Sequence, residues 1–158
     1  MKIRYALYGD DERLAPTMAN AGDACYDLKA RCYSPGPDFA GAEECLSLPP
    51  LGRCLARTGV FLQLEEGWEA QVRPRSGNAL KKGLTVLNSP GTVDAGYRDE
   101  IGVILYNAGG AVLELARGMK IAQIAFRRLP ELEMERIAHR LFDAATMRNL
   151  KGFGSSGQ

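Results

Sequence analysis

Four stretches of the chain combine residue types that can hold a polyanion and a planar base. In Arg73-Pro74-Arg75-Ser76-Gly77 a guanidinium and a hydroxyl stand at the start of a short helical pattern, Ser76–Lys82. Pro74 ends a strand and biases Arg73 to extended geometry. Ser76 stands where it caps the helix. A helix start flanked by Arg and Ser is a phosphate site in outline, although a capped helix with a surface arginine has the same sequence. The second stretch, Asn88 to Glu100, gathers an amide, the carboxylate of Asp94, the phenol of Tyr97 and the guanidinium of Arg98 around Gly91 and Gly96. An Asn side chain offers one donor and one acceptor edge, as a pyrimidine requires. A polar hairpin accounts for the same residues. In the third, Gly118 to Gln123, a Gln interrupts an apolar strand. A buried Gln left unbonded costs about 1–3 kcal/mol, so it must reach a neighbouring loop or a ligand. The fourth is the tail, Lys151-Gly152-Phe153-Gly154-Ser155-Ser156-Gly157. Its ring can stack on a base while amides and hydroxyls wrap phosphates. A disordered terminus is the plainer alternative.

These residues need a scaffold, and the composition says which kind. A chain of 158 residues with 18 glycines and 8 prolines fits one domain of short strands and many turns, not a helix bundle. Strands are expected at 2–8, 53–57, 59–64, 68–73, 101–106, 111–115, 119–126 and 132–137, with one helix over 76–82. Residues 31–45, rich in Pro, Gly and acid, read as a long surface loop. Such spacing indicates an all-β sandwich, barrel or jelly roll. The domain is expected to span 1–137, with 138–147 a linker and 148–158 a mobile arm.

The charge count removes several classes of function. Twenty Lys and Arg against 19 Asp and Glu leave a net charge of +1, which argues against nonspecific binding to nucleic acid or an anionic membrane. The single histidine, His139, excludes a three-His zinc site within one chain. A carboxylate is then the expected catalytic base. No apolar run approaches the roughly 20 residues of a membrane span, and the N-terminus lacks a signal peptide's apolar segment, so a cytoplasmic location is expected. Cys25, Cys32, Cys45 and Cys54 lack zinc-pair spacing and read as plain thiols filling space.

Taken together, and in order, the motifs resemble those of the trimeric dUTPases. The resemblance covers AGDACYDLKA at 21–30, PRSGNALKKG at 74–83, NSPGTVDAGYRDE at 88–100, GMKIAQIAF at 118–126 and RNLKGFGSSG at 148–157. It implies a distorted jelly-roll (β-clip) domain in a homotrimer whose active sites are shared between subunits and closed by the C-terminal arm. It implies Mg²⁺-dependent hydrolysis of dUTP to dUMP and pyrophosphate, which keeps uracil out of DNA and supplies dUMP for thymidylate synthesis. By the same resemblance, Asp94 orients and activates the attacking water. Tyr97 packs under the deoxyribose and leaves no room for a 2′-hydroxyl. Asn88, with backbone near Gly91 and Gly102, reads uracil, and Phe153 stacks on it. Arg75, Ser76, Gly77, Gln123, Arg148, Gly154, Ser155 and Ser156 contact the triphosphate. Asp27 helps hold Mg²⁺ through water.

The sequence departs from the family pattern at Cys25 and Asp99, where Gly is usual, at Met119-Lys120 in place of Asp-Arg, and at Asn149-Leu150-Lys151. Two other functions compete. A dCTP deaminase shares the fold but needs a carboxyl at the position of Ile104, and an aliphatic side chain transfers no proton. A non-catalytic nucleotide-binding regulator has no need of Asp94, Tyr97, Arg148 and Phe153 together.

Overall fold

The computed structural model describes residues 2–35 and 41–138. Twelve strands are formed: β1 (Arg4–Leu7), β2 (Tyr26–Lys29), β3 (Cys32–Ser34), β4 (Cys45–Leu48), β5 (Arg53–Arg57), β6 (Val60–Gln63), β7 (Trp68–Arg73), β8 (Leu84–Val86), β9 (Gly91–Val93), β10 (Gly102–Asn107), β11 (Leu113–Ala116) and β12 (Lys120–Arg128). One helix, α1 (Ser76–Lys82), joins β7 to β8. The strands form two four-stranded sheets, ordered β3-β5-β10-β8 and β2-β12-β7-β9, and two ribbons, β1-β6 and β11-β4. All named pairs are antiparallel.

Alternation along the strands builds the core. In β5, Cys54 and Ala56 are buried while Arg53, Leu55 and Arg57 are more open. In β10, Val103, Leu105 and Asn107 are buried while Gly102 and Ile104 lie on the opposite face. A single apolar cluster joins Ala56, Val103 and Leu105 of one sheet to Leu28, Val72 and Ile124 of the other. This is a distorted β jelly roll. Burying a Val or Leu side chain is worth about 1.5–3 kcal/mol, so the domain needs no crosslink. Cys32 and Cys54 are buried core thiols, and burial pushes Cys54 up to about 11, leaving it unreactive. Cys45 is exposed and fills no space.

Three expectations are corrected. Residues 31–45 are not one surface loop: Cys32, Tyr33 and Ser34 form β3 and are buried, with the Tyr33 hydroxyl donating to the Ala116 carbonyl at 2.9 Å. Pairing of this buried triplet with β5 outweighs the turn-forming residues that follow it. Residues 132–137 carry a strand's alternation but form no strand, because none of the described residues pairs with them. Ser76 does not cap α1. Arg75 occupies the N-cap without a side-chain bond, and Ser76 is the first helical residue. The helix ends at Gly83, whose φ of 68° and whose N–H bonds to Asn78 and Ala79 carbonyls close the last turn. No helix among the described residues is long and apolar enough to cross a membrane.

Candidate active site

Two separate clefts gather the residues singled out above. The first, about 360 Å³, is lined by Asp23, Cys25, Asp27, Arg75, Ser76, Gly77 and Gln123, among others. Three elements converge there. β2 brings Asp27, β12 brings Gln123, and the β7–α1 junction brings Arg75, Ser76 and Gly77. Asp27 and Gln123 stand directly opposite in the antiparallel register. The Gln123 amide donates to the Pro74 carbonyl at 2.8 Å, so the neighbouring loop supplies one partner while the side chain still lines the cleft. That bond fixes the backbone next to Arg75. Asn78, buried within α1, donates to the Lys120 carbonyl at 2.9 Å and ties the helix to β12.

Asp27 is buried, and its carboxylate lies between two cations. Arg75 Nε donates to Oδ1 at 2.7 Å, and Lys120 Nζ donates to Oδ2 at 2.9 Å. Burial alone would raise the Asp27 pKa, but the hydrogen bonds from Lys120 and Arg75 outweigh it and hold the group below the ordinary carboxylate range.

The second cleft, about 290 Å³, is lined by Leu55, Arg57, Asn88, Tyr97, Asp99, Glu100, Gly102 and Ile104. Asn88, Tyr97 and Gly102 therefore line one cleft. Two glycines matter here because of close approach. A Cβ on Gly91 would lie 3.2 Å from the Asn88 amide nitrogen. A Cβ on Gly102 would lie 2.9 Å from Leu55 Cδ1. Gly91 thus lies behind the Asn88 amide, and Gly102 leaves backbone bare at the cleft wall. The Tyr97 hydroxyl donates to the Glu100 carbonyl at 2.9 Å. Burial, with the carboxylates of Asp99 and Glu100, pushes that phenol up, so it stays neutral. Asp94 is exposed just past β9, and its carbonyl accepts from the Tyr97 N–H at 3.1 Å. It is not among the residues lining this cleft. Arg148, Phe153, Gly154, Ser155, Ser156 and the arm as a whole lie outside the described residues.

One ionic cluster was not legible in the sequence. Glu100, with a side chain only 6% exposed, accepts from Arg31 at 2.9 and 3.1 Å and from the Gly59 N–H at 2.6 Å. Arg57 lies 3.6 Å away, and Arg31 also sits 4.0 Å from the centre of the Tyr8 ring. The cluster anchors the loop that carries Tyr97. Asp99, in place of the usual glycine, accepts the Glu100 N–H at 2.7 Å.

Residues 11–157 match the family model described as dUTPase. The chain is 45% identical over 158 residues to a deoxyuridine 5′-triphosphate nucleotidohydrolase of Wolinella succinogenes, covering 100% of this chain and 95% of the relative. It is 42% identical over 148 residues to that of Clostridium novyi, covering 94% of each. Among solved structures, a mutant dUTPase of Staphylococcus bacteriophage 80alpha with dUpNHpp superposes with a TM-score of 0.77 at 20% identity, covering 99% of each chain. The dUTPase of Streptococcus mutans does so with a TM-score of 0.68 at 25% identity, covering 82% of this chain and 98% of the other.

Proposed function

The chain belongs to the dUTPase family, and from that premise we propose how it hydrolyses dUTP to dUMP and pyrophosphate. The cleft of Asn88, Tyr97 and Gly102 takes deoxyuridine. Asn88 presents its amide to the uracil edge, and bare backbone at Gly102 admits the ring and rejects a thymine methyl. Tyr97, held by its bond to Glu100, forms the floor under the sugar and leaves no room for a 2′-hydroxyl. The cleft of Arg75, Ser76 and Gly77 takes the triphosphate. Asp94, exposed at the end of β9, draws a proton from water as that water attacks the α-phosphorus. Concerted general-base help of this kind supplies about 10²–10⁴-fold. The remainder comes from positioning and from cations around the phosphates.

The reading is carried by one observation: Asn88, Tyr97 and Gly102 line a single cleft whose wall includes the aliphatic Ile104. A proton-transferring carboxyl at that place would suit deamination, and Ile104 supplies none.

The two clefts share no lining residue. This supports active sites completed between copies of the chain in a homotrimer. The segment after β12 supports it too. Leu132 is 81% and Met134 97% exposed, alternating with Glu131, Glu133 and Glu135, a pattern that calls for a sheet edge on another copy. Arg148, Phe153, Gly154, Ser155 and Ser156 are proposed to close over the nucleotide from the arm.

Mg²⁺ is proposed to enter with the substrate. It prefers phosphate oxygens and its own waters to a protein cage, and when bound it offsets phosphate charge. No three His, Cys, Asp or Glu side chains converge among the described residues. Both oxygens of Asp27 already accept from cations. The described side chains therefore do not fit a resident ion, and no step is assigned to one.

A nucleotide panel assayed for pyrophosphate and ammonia together tests this function. With Mg²⁺, dUTP should yield pyrophosphate and no ammonia, while dCTP, dTTP and UTP turn over far more slowly. Asp94→Asn should abolish turnover while dUTP still binds. Ammonia from dCTP, or near-normal rates in the variant, would overturn the assignment.

A further inference from the structure

We propose that Asp27 is a positioning residue that aims Arg75 at the triphosphate, with Lys120 as the third member of the device, and that it is not a ligand of Mg²⁺. The inference rests on reading this cleft as the phosphate side. Arg75 meets Asp27 side-on: Nε lies 2.7 Å from Oδ1 and Nη2 lies 3.5 Å from Oδ2. A guanidinium carries five N–H groups in a fixed fork. The grip on Asp27 engages the Nε edge and leaves the outer edge, one N–H each of Nη1 and Nη2, for a bidentate phosphate contact. Lys120 Nζ, 2.9 Å from Oδ2, holds the carboxylate from its other side.

The backbone around this group is held as firmly as the side chains. Gln123, opposite Asp27 in the sheet, holds the Pro74 carbonyl, and Asn78 holds the Lys120 carbonyl. Both ends of Arg75 are thereby fixed, the main chain through β12 and the guanidinium through β2. A long side chain frozen before the substrate arrives loses less entropy on binding than a free one.

Titration calorimetry of dUTP in EDTA isolates the proposal, because no metal takes part. Four proteins are compared: wild type, Asp27→Asn, Arg75→Gln and the double variant. Losing a charge-assisted bond should weaken metal-free dUTP binding by about tenfold or more in Asp27→Asn. If Asp27 acts through Arg75, the double variant should bind within about twofold of Arg75→Gln alone. A merely structural role would give additive losses. The Mg²⁺ concentration for half-maximal turnover at saturating dUTP should stay within about twofold of wild type in Asp27→Asn. Unchanged metal-free binding with a raised Mg²⁺ requirement would overturn the proposal, and so would additive losses. Should Asp27→Asn fail to fold, Lys120→Gln decides. It should weaken metal-free binding by about threefold or more, non-additively with Arg75→Gln, and unchanged binding would refute the device. A wild-type chain that bound no dUTP would instead refute the function on which the inference rests.

Discussion

Replacing Glu100 by Gln keeps the shape of the side chain and removes its charge. In the native fold that charge faces Arg31 at 2.9 Å and Arg57 at 3.6 Å, and it accepts the Gly59 N–H at 2.6 Å. Breaking a buried pair by removing one partner costs about 3–5 kcal/mol, because the other charge is left uncompensated. The lower end applies here. Arg31 keeps the Tyr8 ring at 4.0 Å, and the Arg57 side chain is 33% exposed, so water takes part of its charge. A loss of about 3 kcal/mol in a chain of this size lowers Tm by about 6–12 °C. Calorimetry at one fixed protein concentration reads it, which holds any self-association constant. Adding Arg31→Leu should recover part of the loss by removing the stranded cation. A fall of less than about 2 °C for Glu100→Gln, or strictly additive losses in the double variant, would refute the claim that this cluster anchors the Tyr97 loop.

Two further outcomes follow from the geometry. Gly102→Ala places a methyl 2.9 Å from Leu55 Cδ1 in the cleft wall; overpacking of about 1–3 kcal/mol should raise the KM for dUTP roughly tenfold while the protein still folds, and an unchanged KM would remove Gly102 from the base site. The Asp27 carboxyl is held below its ordinary range in the folded chain, so its contribution to stability is present above the unfolded pKa of about 3.9 and is lost as pH falls through the lowered folded value. Denaturation midpoints of wild type and Asp27→Asn should therefore differ at pH 7 and converge in acid; a gap that persists at low pH would contradict the ion pairs.

Some elements were legible to the residue. Helix Ser76–Lys82 was, because Pro74 fixes its entry and Gly83 its exit. Strands 53–57 and 68–73 were too, since their side chains are uninterrupted by turn residues. The strands that went unread are short. Gly91–Val93 and Leu84–Val86 have three residues each, too few to show a period. Tyr26–Lys29 alternates weakly and is fixed by its partner β12. Asn88, Tyr97 and Gly102 were grouped through the family resemblance, and they line one cleft because one hairpin and the start of one strand carry them all. The bond between Arg31 and Glu100 was not, since 69 positions separate residues that only tertiary packing brings together. Gln123 shows a third case. Its need for a partner was plain in the sequence, but the choice between loop and ligand depended on where Pro74 lay.

The segment after β12 exposes the chain to a hazard of its own. Leu132 and Met134 stand bare, a shape that elsewhere seeds fibrils. Glu131, Glu133 and Glu135 occupy the alternate positions. Two such segments lying side by side in register would set like charge against like charge, as gatekeeper residues do beside unavoidable apolar strands. The alternating carboxylates thus keep this exposed apolar segment from pairing with a second copy of itself in dilute solution.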